Sequence, residues 1–215
     1  MERKGIHIID LNRTSDSLDK AGKAARQIAS TGRKILFVAT KKQAREIVKE
    51  AAMSVGMPFV VDRWLGGMMT NFSTIRKSVK KMQTIDSMLN DKNVTSVTKK
   101  ERLTLTRSRN KLEKVLGGIA NLNRLPAAVF LVDISHEHIA LAEAGKLGMR
   151  TIGMVDTNSD PNLVDFAIPA NDDAAKSISI ITDFIVENIK AGLQDRENNK
   201  QQKKKEASAP KKEKA

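Results

Sequence analysis

Three uninterrupted apolar runs constrain this chain more than anything else in it: KILFVAT at Lys34 to Thr40, AAVFLVD at Ala127 to Asp133, and TIGMV at Thr151 to Val155. A strand with one wet face alternates apolar and polar residues. A strand with no polar break must be covered on both faces, which is the condition of a parallel sheet between helices. Helical spacing fills the intervals, from Lys41 to Val55 before Gly56 and from His136 to Leu147. Further elements fit the same rhythm: a first strand at Ile6 to Leu11, a helix from Leu18 to Ile28 before Gly32, and a short strand at Met57 to Val61. A last short strand at Phe166 to Ile168 and a closing helix from Asn171 to Ile189 complete it. Strands alternating with helices predict an α/β domain.

About sixty residues between the Met57 and Ala127 strands carry no strand signal. From Asn71 to Asn90 the apolar positions are Phe72, Ile75, Val79, Met82, Ile85 and Leu89, a narrow seam of coiled-coil type. Asp91 to Val97 reads as a turn. Thr98 followed by Glu101 is a capping-box pattern that opens a second helix, whose seam is Leu105, Leu112, Leu116 and Ile119. The spacing predicts an antiparallel helical hairpin, residues 71–118, inserted into a discontinuous α/β domain of residues 1–70 and 119–190. Residues 191–215 are rich in Gln, Asn, Lys and Glu without apolar periodicity, so a disordered basic tail that is dispensable for folding is expected there.

Charge points to the partner. The chain carries 38 basic and 25 acidic side chains, a formal net charge of +13. The excess is uneven: +6 in residues 1–70, +8 in the hairpin, −6 in residues 119–189 and +5 in residues 190–215. A basic projection on a partly acidic body suits a polyanion, with nucleic acid first and an anionic membrane second. No run approaches the roughly 18 apolar residues of a membrane span. With that and no apolar leader, a soluble cytoplasmic protein is expected. Tyr is absent, Trp occurs once and Phe six times. Base stacking on exposed aromatics is therefore a poor mode for this chain, and phosphate contact the better one. The hairpin residues that fit such contacts are Arg76, Lys77, Lys80, Lys81, Lys99, Lys100, Arg102, Arg107 and Arg109, with Arg63 and Lys41 as weaker candidates.

Catalytic and metal chemistry find little support. The absence of cysteine excludes disulfides, thiolate metal sites and a cysteine nucleophile. Neither G-x-G-x-x-G nor G-x-x-x-x-G-K-[ST] occurs. Thr40-Lys41-Lys42 follows a strand and could meet a phosphate, but without glycines the backbone cannot wrap a pyrophosphate. His136 and His138 diverge by about 200° on a helix and cannot share a metal. Ser135 fits the N-cap of that helix, and Glu137 suits its positive end. Asp156 to Pro161 has Pro and Ala where a calcium loop needs Gly and Glu, so an Asx-type turn is expected. Asn171-Asp172-Asp173 reads as a helix start. Arg63 to Asn71, RWLGGMMTN, reads as an apolar pivot under the hairpin, with Arg63 free to meet phosphate.

RWLGGMMTN, the basic hairpin, PAAVFLVDISHEHIALAEAGKLG at 126–148, VDTNSDP at 155–161 and IPANDDA at 168–174 together resemble the bacterial small-subunit ribosomal protein S-two family. The resemblance runs from about Gly5 to Gly192. It implies a flavodoxin-like five-stranded parallel sheet with helices on both faces and an inserted coiled-coil helical hairpin. It implies a structural constituent of the small ribosomal subunit, bound to 16S ribosomal RNA between head and body. Neighbouring small-subunit proteins, including the large protein S-one, are its implied partners. No catalytic residue, metal, cofactor, membrane or small-molecule substrate comes with it. Family members usually carry a further N-terminal segment before the point where this chain begins, and usually have Pro or Ala where Arg150 stands. The competing reading is a small-molecule or nucleotide-binding enzyme on a flavodoxin-like sheet.

Overall fold

The computed structural model describes the backbone of residues 2–3, 6–90 and 98–208, and side chains over 7–90 and 98–202. In chain order the elements are β1 (Glu2–Arg3), β2 (Ile6–His7), α1 (Leu11–Ser30), β3 (Ile35–Val38), α2 (Arg45–Ser54), β4 (Phe59–Val60), α3 (Phe72–Asn90) and α4 (Lys99–Leu116). They continue with β5 (Ala128–Leu131), α5 (His138–Lys146), β6 (Arg150–Val155), β7 (Phe166–Pro169) and α6 (Ala175–Ser208). A 3-10 turn, Gly117–Ile119, follows α4.

Five strands form one sheet in the order β4-β3-β5-β6-β7, every neighbouring pair parallel. This is the flavodoxin-like order, with its reversal between β3 and β5. The unbroken apolar runs have the expected cause. Ile35 and Phe37 of β3 join Phe130, Ile152 and Met154 under α1, α2 and α6, whereas Leu36 and Val38 join Val129, Leu131 and the other face. That second face is covered by α5 and by the base of the hairpin, through Ile75, Val79 and Leu116. Right-handed crossovers require this division. The step from β3 to β4 runs one way along the sheet, and the steps from β4 to β5 and β5 to β6 run the other.

Three expectations are corrected. Ile6 to Leu11 is not a strand of the parallel sheet: among the described residues, Ile6 and His7 pair with Glu2 and Arg3 in a separate antiparallel two-stranded sheet. Asp10 then accepts a hydrogen bond from Asn12 N–H, so the helix begins at Leu11. The fifth strand is β7, near the short run at Phe166. Ser135 does not cap α5, which begins at His138 with no side-chain cap. Instead Asp133 accepts from His136 N–H, and Glu137 is buried, accepting from Thr40 N–H. Finally, the closing helix does not end near 190. It runs through Ser208, Leu193 packs against the core, and Asp195 pairs with Arg26 of α1. The expected turn at 91–97 and the residues after Ser208 lie outside the described residues.

Candidate nucleic-acid interface

The inserted segment forms two helices of 19 and 18 residues, compatible with the expected hairpin. At about 1.5 Å per residue each is roughly 28 Å long. Their directions oppose: Arg109 of α4 hydrogen-bonds Asp86 of α3, and nearer the tip Arg102 donates to the Leu89 carbonyl. Ile75, Val79, Met82 and Ile85 are buried along α3, in agreement with the 3,4 spacing. The capping box at Thr98 is complete, with Thr98 Oγ1 accepting from Glu101 N–H and the Glu101 carboxylate accepting from Thr98 N–H. That hydrogen bonding holds the Glu101 carboxyl below its usual value.

The seam leaves the basic residues outside. Lys77, Lys80, Lys81, Lys99, Lys100 and Arg107 are all exposed, and none has an ion-pair partner among the described residues. Other candidates are already engaged. Arg76 is half-buried and donates to the Leu122 carbonyl, so it fastens the hairpin to its own base. Arg109 lies between Asp86 and Glu113, and its pKa is raised chiefly by the Asp86 hydrogen bond. Arg63 is exposed on the body.

Lys41 lies far from the role expected of it. Its side chain is only 18% exposed, and its Nζ lies 3.1 Å from Asp133, 2.7 Å from Asp172 and 2.5 Å from Asp173. Burial opposes its charge, but the hydrogen bonds to Asp172, Asp173 and Asp133 outweigh burial and raise its pKa. Asp172 is itself pushed up, first by burial and then by the nearby carboxylates of Asp133 and Asp156, with Lys41 offsetting part of this. Asp133 stands just past β5 at φ 67°, a backbone conformation uncommon outside glycine. Asn171, not the aspartates, provides the turn's capping contacts, accepting from Asp173 and Ala174 N–H. A lysine held by three carboxylates is a lock across the ends of β3, β5 and β7, not a free surface cation.

What positions the hairpin was not legible in the sequence. Glu143 of α5 is 6% exposed and accepts five hydrogen bonds from the RWLGGMMTN segment. The donors are Trp64 Nε1, the N–H groups of Gly67, Met69 and Thr70, and Thr70 Oγ1, at 2.8–3.1 Å. Burial alone would raise this carboxyl's pKa, but the bonds from Thr70, Trp64, Met69 and Gly67 prevail and lower it. Gly67 takes φ 85°, which turns its N–H to the carboxylate at little steric cost. At the other root of the hairpin Gly118 lies against β4, where a methyl group would collide with the Phe59 carbonyl oxygen. Lys114 of α4 also reaches Asp62 at 3.4 Å. The only signal for Glu143 was one acid within an apolar helix.

Comparison with known proteins meets this geometry. Residues 1–192 match the family model described as ribosomal protein S2. The chain belongs to the ribosomal protein S2 family. It is 58% identical over 200 residues to the small ribosomal subunit protein uS2 of Cytophaga hutchinsonii, covering 93% of this chain and 79% of that one. It is 53% identical over 213 residues to the protein of the same name from Parabacteroides distasonis, covering 99% and 77%. To that of Christiangramia forsetii it is 55% identical over 215 residues, covering 100% and 72%. The five motifs that carried the resemblance thus belong to a family of small-subunit ribosomal proteins. No helix among the described residues is long and apolar enough to cross a membrane.

Proposed function

We propose that the chain is a non-enzymatic constituent of the bacterial small ribosomal subunit that holds 16S ribosomal RNA through its basic hairpin, in the ribosome of the cytoplasm. One observation carries this reading. Six exposed basic side chains on the two arms have no internal anion among the described residues, while Ile75, Val79, Met82 and Ile85 of α3 are buried beneath them. Phosphates of folded RNA are the counter-charge such an arm lacks, and contact to them positions a protein without reading sequence. Of the acids in residues 119–189, Asp133, Glu137, Glu143 and Asp172 are buried and bonded internally, so they do not supply the arm's counter-charge. The clasp at Glu143 fixes the angle at which the arm leaves the sheet, so charge is presented in a set direction. We further propose residues 71–118 as the RNA-holding unit, residues 1–70 and 119–190 as its platform, and the position between head and body, with support for the large protein S-one, as its place. Sucrose-gradient fractionation of lysate tests the role: the chain travels with small subunits, and replacing Lys80, Lys81, Lys99 and Lys100 by Gln moves it toward the top. A protein that stays at the top in both forms contradicts the reading.

A further inference from the structure

A second place on the molecule gathers unsatisfied donors, and it is distinct from the hairpin. At the C-terminal ends of β3 and β5, where the strand order reverses, lies a crevice of about 500 Å³ lined by Thr40, Lys42, Arg63, Trp64, His136 and Ile139. Reversal points of this kind are where open parallel sheets leave room for ligands. The carboxylates bordering it are already satisfied. Glu137 accepts from Thr40 N–H at 2.6 Å, and Asp62 is met by Arg45 at 3.5 Å and Lys114 at 3.4 Å. Lys42 and Arg63 are exposed and have no partner among the described residues. His136 is 52% exposed, and its Nδ1 lies 2.9 Å from Thr40 Oγ1, which leaves Nε2 without a partner among the described residues. One wall is apolar, since Ile139 is 46% exposed beside the buried Trp64.

We propose that this crevice holds a single nucleotide phosphate, with Lys42 and Arg63 on the anion, His136 as a third donor, and Ile139 against the sugar or base. A lone phosphate fits where a pyrophosphate does not, because the Thr40 to Ala44 turn has no glycine for a backbone cradle. The phosphate belongs either to a free mononucleotide or to one residue of an RNA chain. The inference shares a partner class with the hairpin reading but uses none of its six free arm residues, so the two stand or fall separately.

The only tryptophan of the chain lines the crevice and Tyr is absent, so intrinsic fluorescence reports on this place and, through the Trp64–Glu143 bond, on the hairpin root, and the two sets of variants below separate these sources. The test is a fluorescence titration of the full chain with AMP, adenosine and a single-stranded oligouridylate. Saturation by AMP, by the oligonucleotide or by both supports the proposal and identifies the source. The double variant Lys42→Gln/Arg63→Gln should weaken that binding at least about tenfold. Lys42→Arg/Arg63→Lys should restore most of it. Because both side chains are exposed and unpaired, the melting temperature should not move. The hairpin variant with four Gln substitutions should titrate with AMP as the wild type does. Three results overturn the proposal: no saturable change with AMP or oligonucleotide, adenosine binding as tightly as AMP, or a double variant indistinguishable from wild type.

Discussion

Glu143 accepts five hydrogen bonds from the segment at the root of the hairpin. Removing a buried acceptor leaves its donors unpaired, each at about 1–3 kcal/mol. Glu143→Ala should therefore cost at least about 3 kcal/mol in urea unfolding, with Glu143→Gln intermediate because one oxygen remains. The sign of the pH effect follows from the lowered pKa. The stabilisation is full above the unfolded value, 4.5, and is lost as pH falls through the folded value. Asp172 acts oppositely, since its raised folded pKa favours the fold at low pH and fades as pH rises through that value. The stability difference between wild type and Glu143→Gln isolates the first effect: it should be largest near neutrality and shrink as pH falls below 4.5. A constant difference would mean that charge on Glu143 is not what the clasp uses. Gly118 is a second local test. Gly118→Ala should destabilise by about 1–3 kcal/mol, because the obstacle is backbone. Gly66→Ala, where an added methyl meets nothing within 4 Å, should be nearly silent. Neither Glu143 nor Gly118 announces its role in sequence, since both act on partners at least 59 positions away.

Elements with a strong period could be read in advance. The α3 seam was legible because Ile75, Val79, Met82 and Ile85 satisfy local geometry and tertiary packing together, and the α4 start because a capping box is a contact within four residues. Where the signal was weak, reading failed. The apolar letters of Ile6 to Leu11 suit a strand, but Asp10 caps a helix and Ile6–His7 pairs with Glu2–Arg3 instead of joining the parallel sheet. The extension of α6 past 190 has almost no apolar face, so one turn of packing by Leu193 against the core was invisible in composition. Two changes test these elements. Val79→Asp places a charge at a position 1% exposed and should unfold the hairpin, seen as lost helical circular dichroism, whereas Lys80→Gln should not. Truncation after Gly192 should cost about 1–2 kcal/mol through Leu193, the exposed Arg26–Asp195 pair adding little. Truncation after Gln202 should cost nothing measurable, and equal effects of the two cuts would remove the packing role assigned to Leu193.

At the scale of the whole molecule, the sheet carries the two-helix insertion, clasped at one root by Glu143. The parallel sheet and its two covered faces followed from three apolar runs, whereas the five-stranded flavodoxin-like arrangement came only with the family resemblance. The arm's charge was likewise legible. Its distribution of labour was not: Arg76, Arg109 and Lys41 look identical in sequence to Lys80 or Lys99, and only packing separates a fastening from a free cation. The free ones carry the central claim. Each phosphate they neutralise should release condensed counterions, contributing about −0.7 to −0.9 to the slope of log affinity against log salt. The most direct measurement is the affinity of the full chain for 16S ribosomal RNA at several salt concentrations, for wild type and for the variant with Gln at Lys80, Lys81, Lys99 and Lys100. The account predicts weaker binding and a slope flattened by up to roughly three units, with the melting temperature held within a few degrees. Coincident slopes would contradict it, because the hairpin's charge would then be no more than a solvated face.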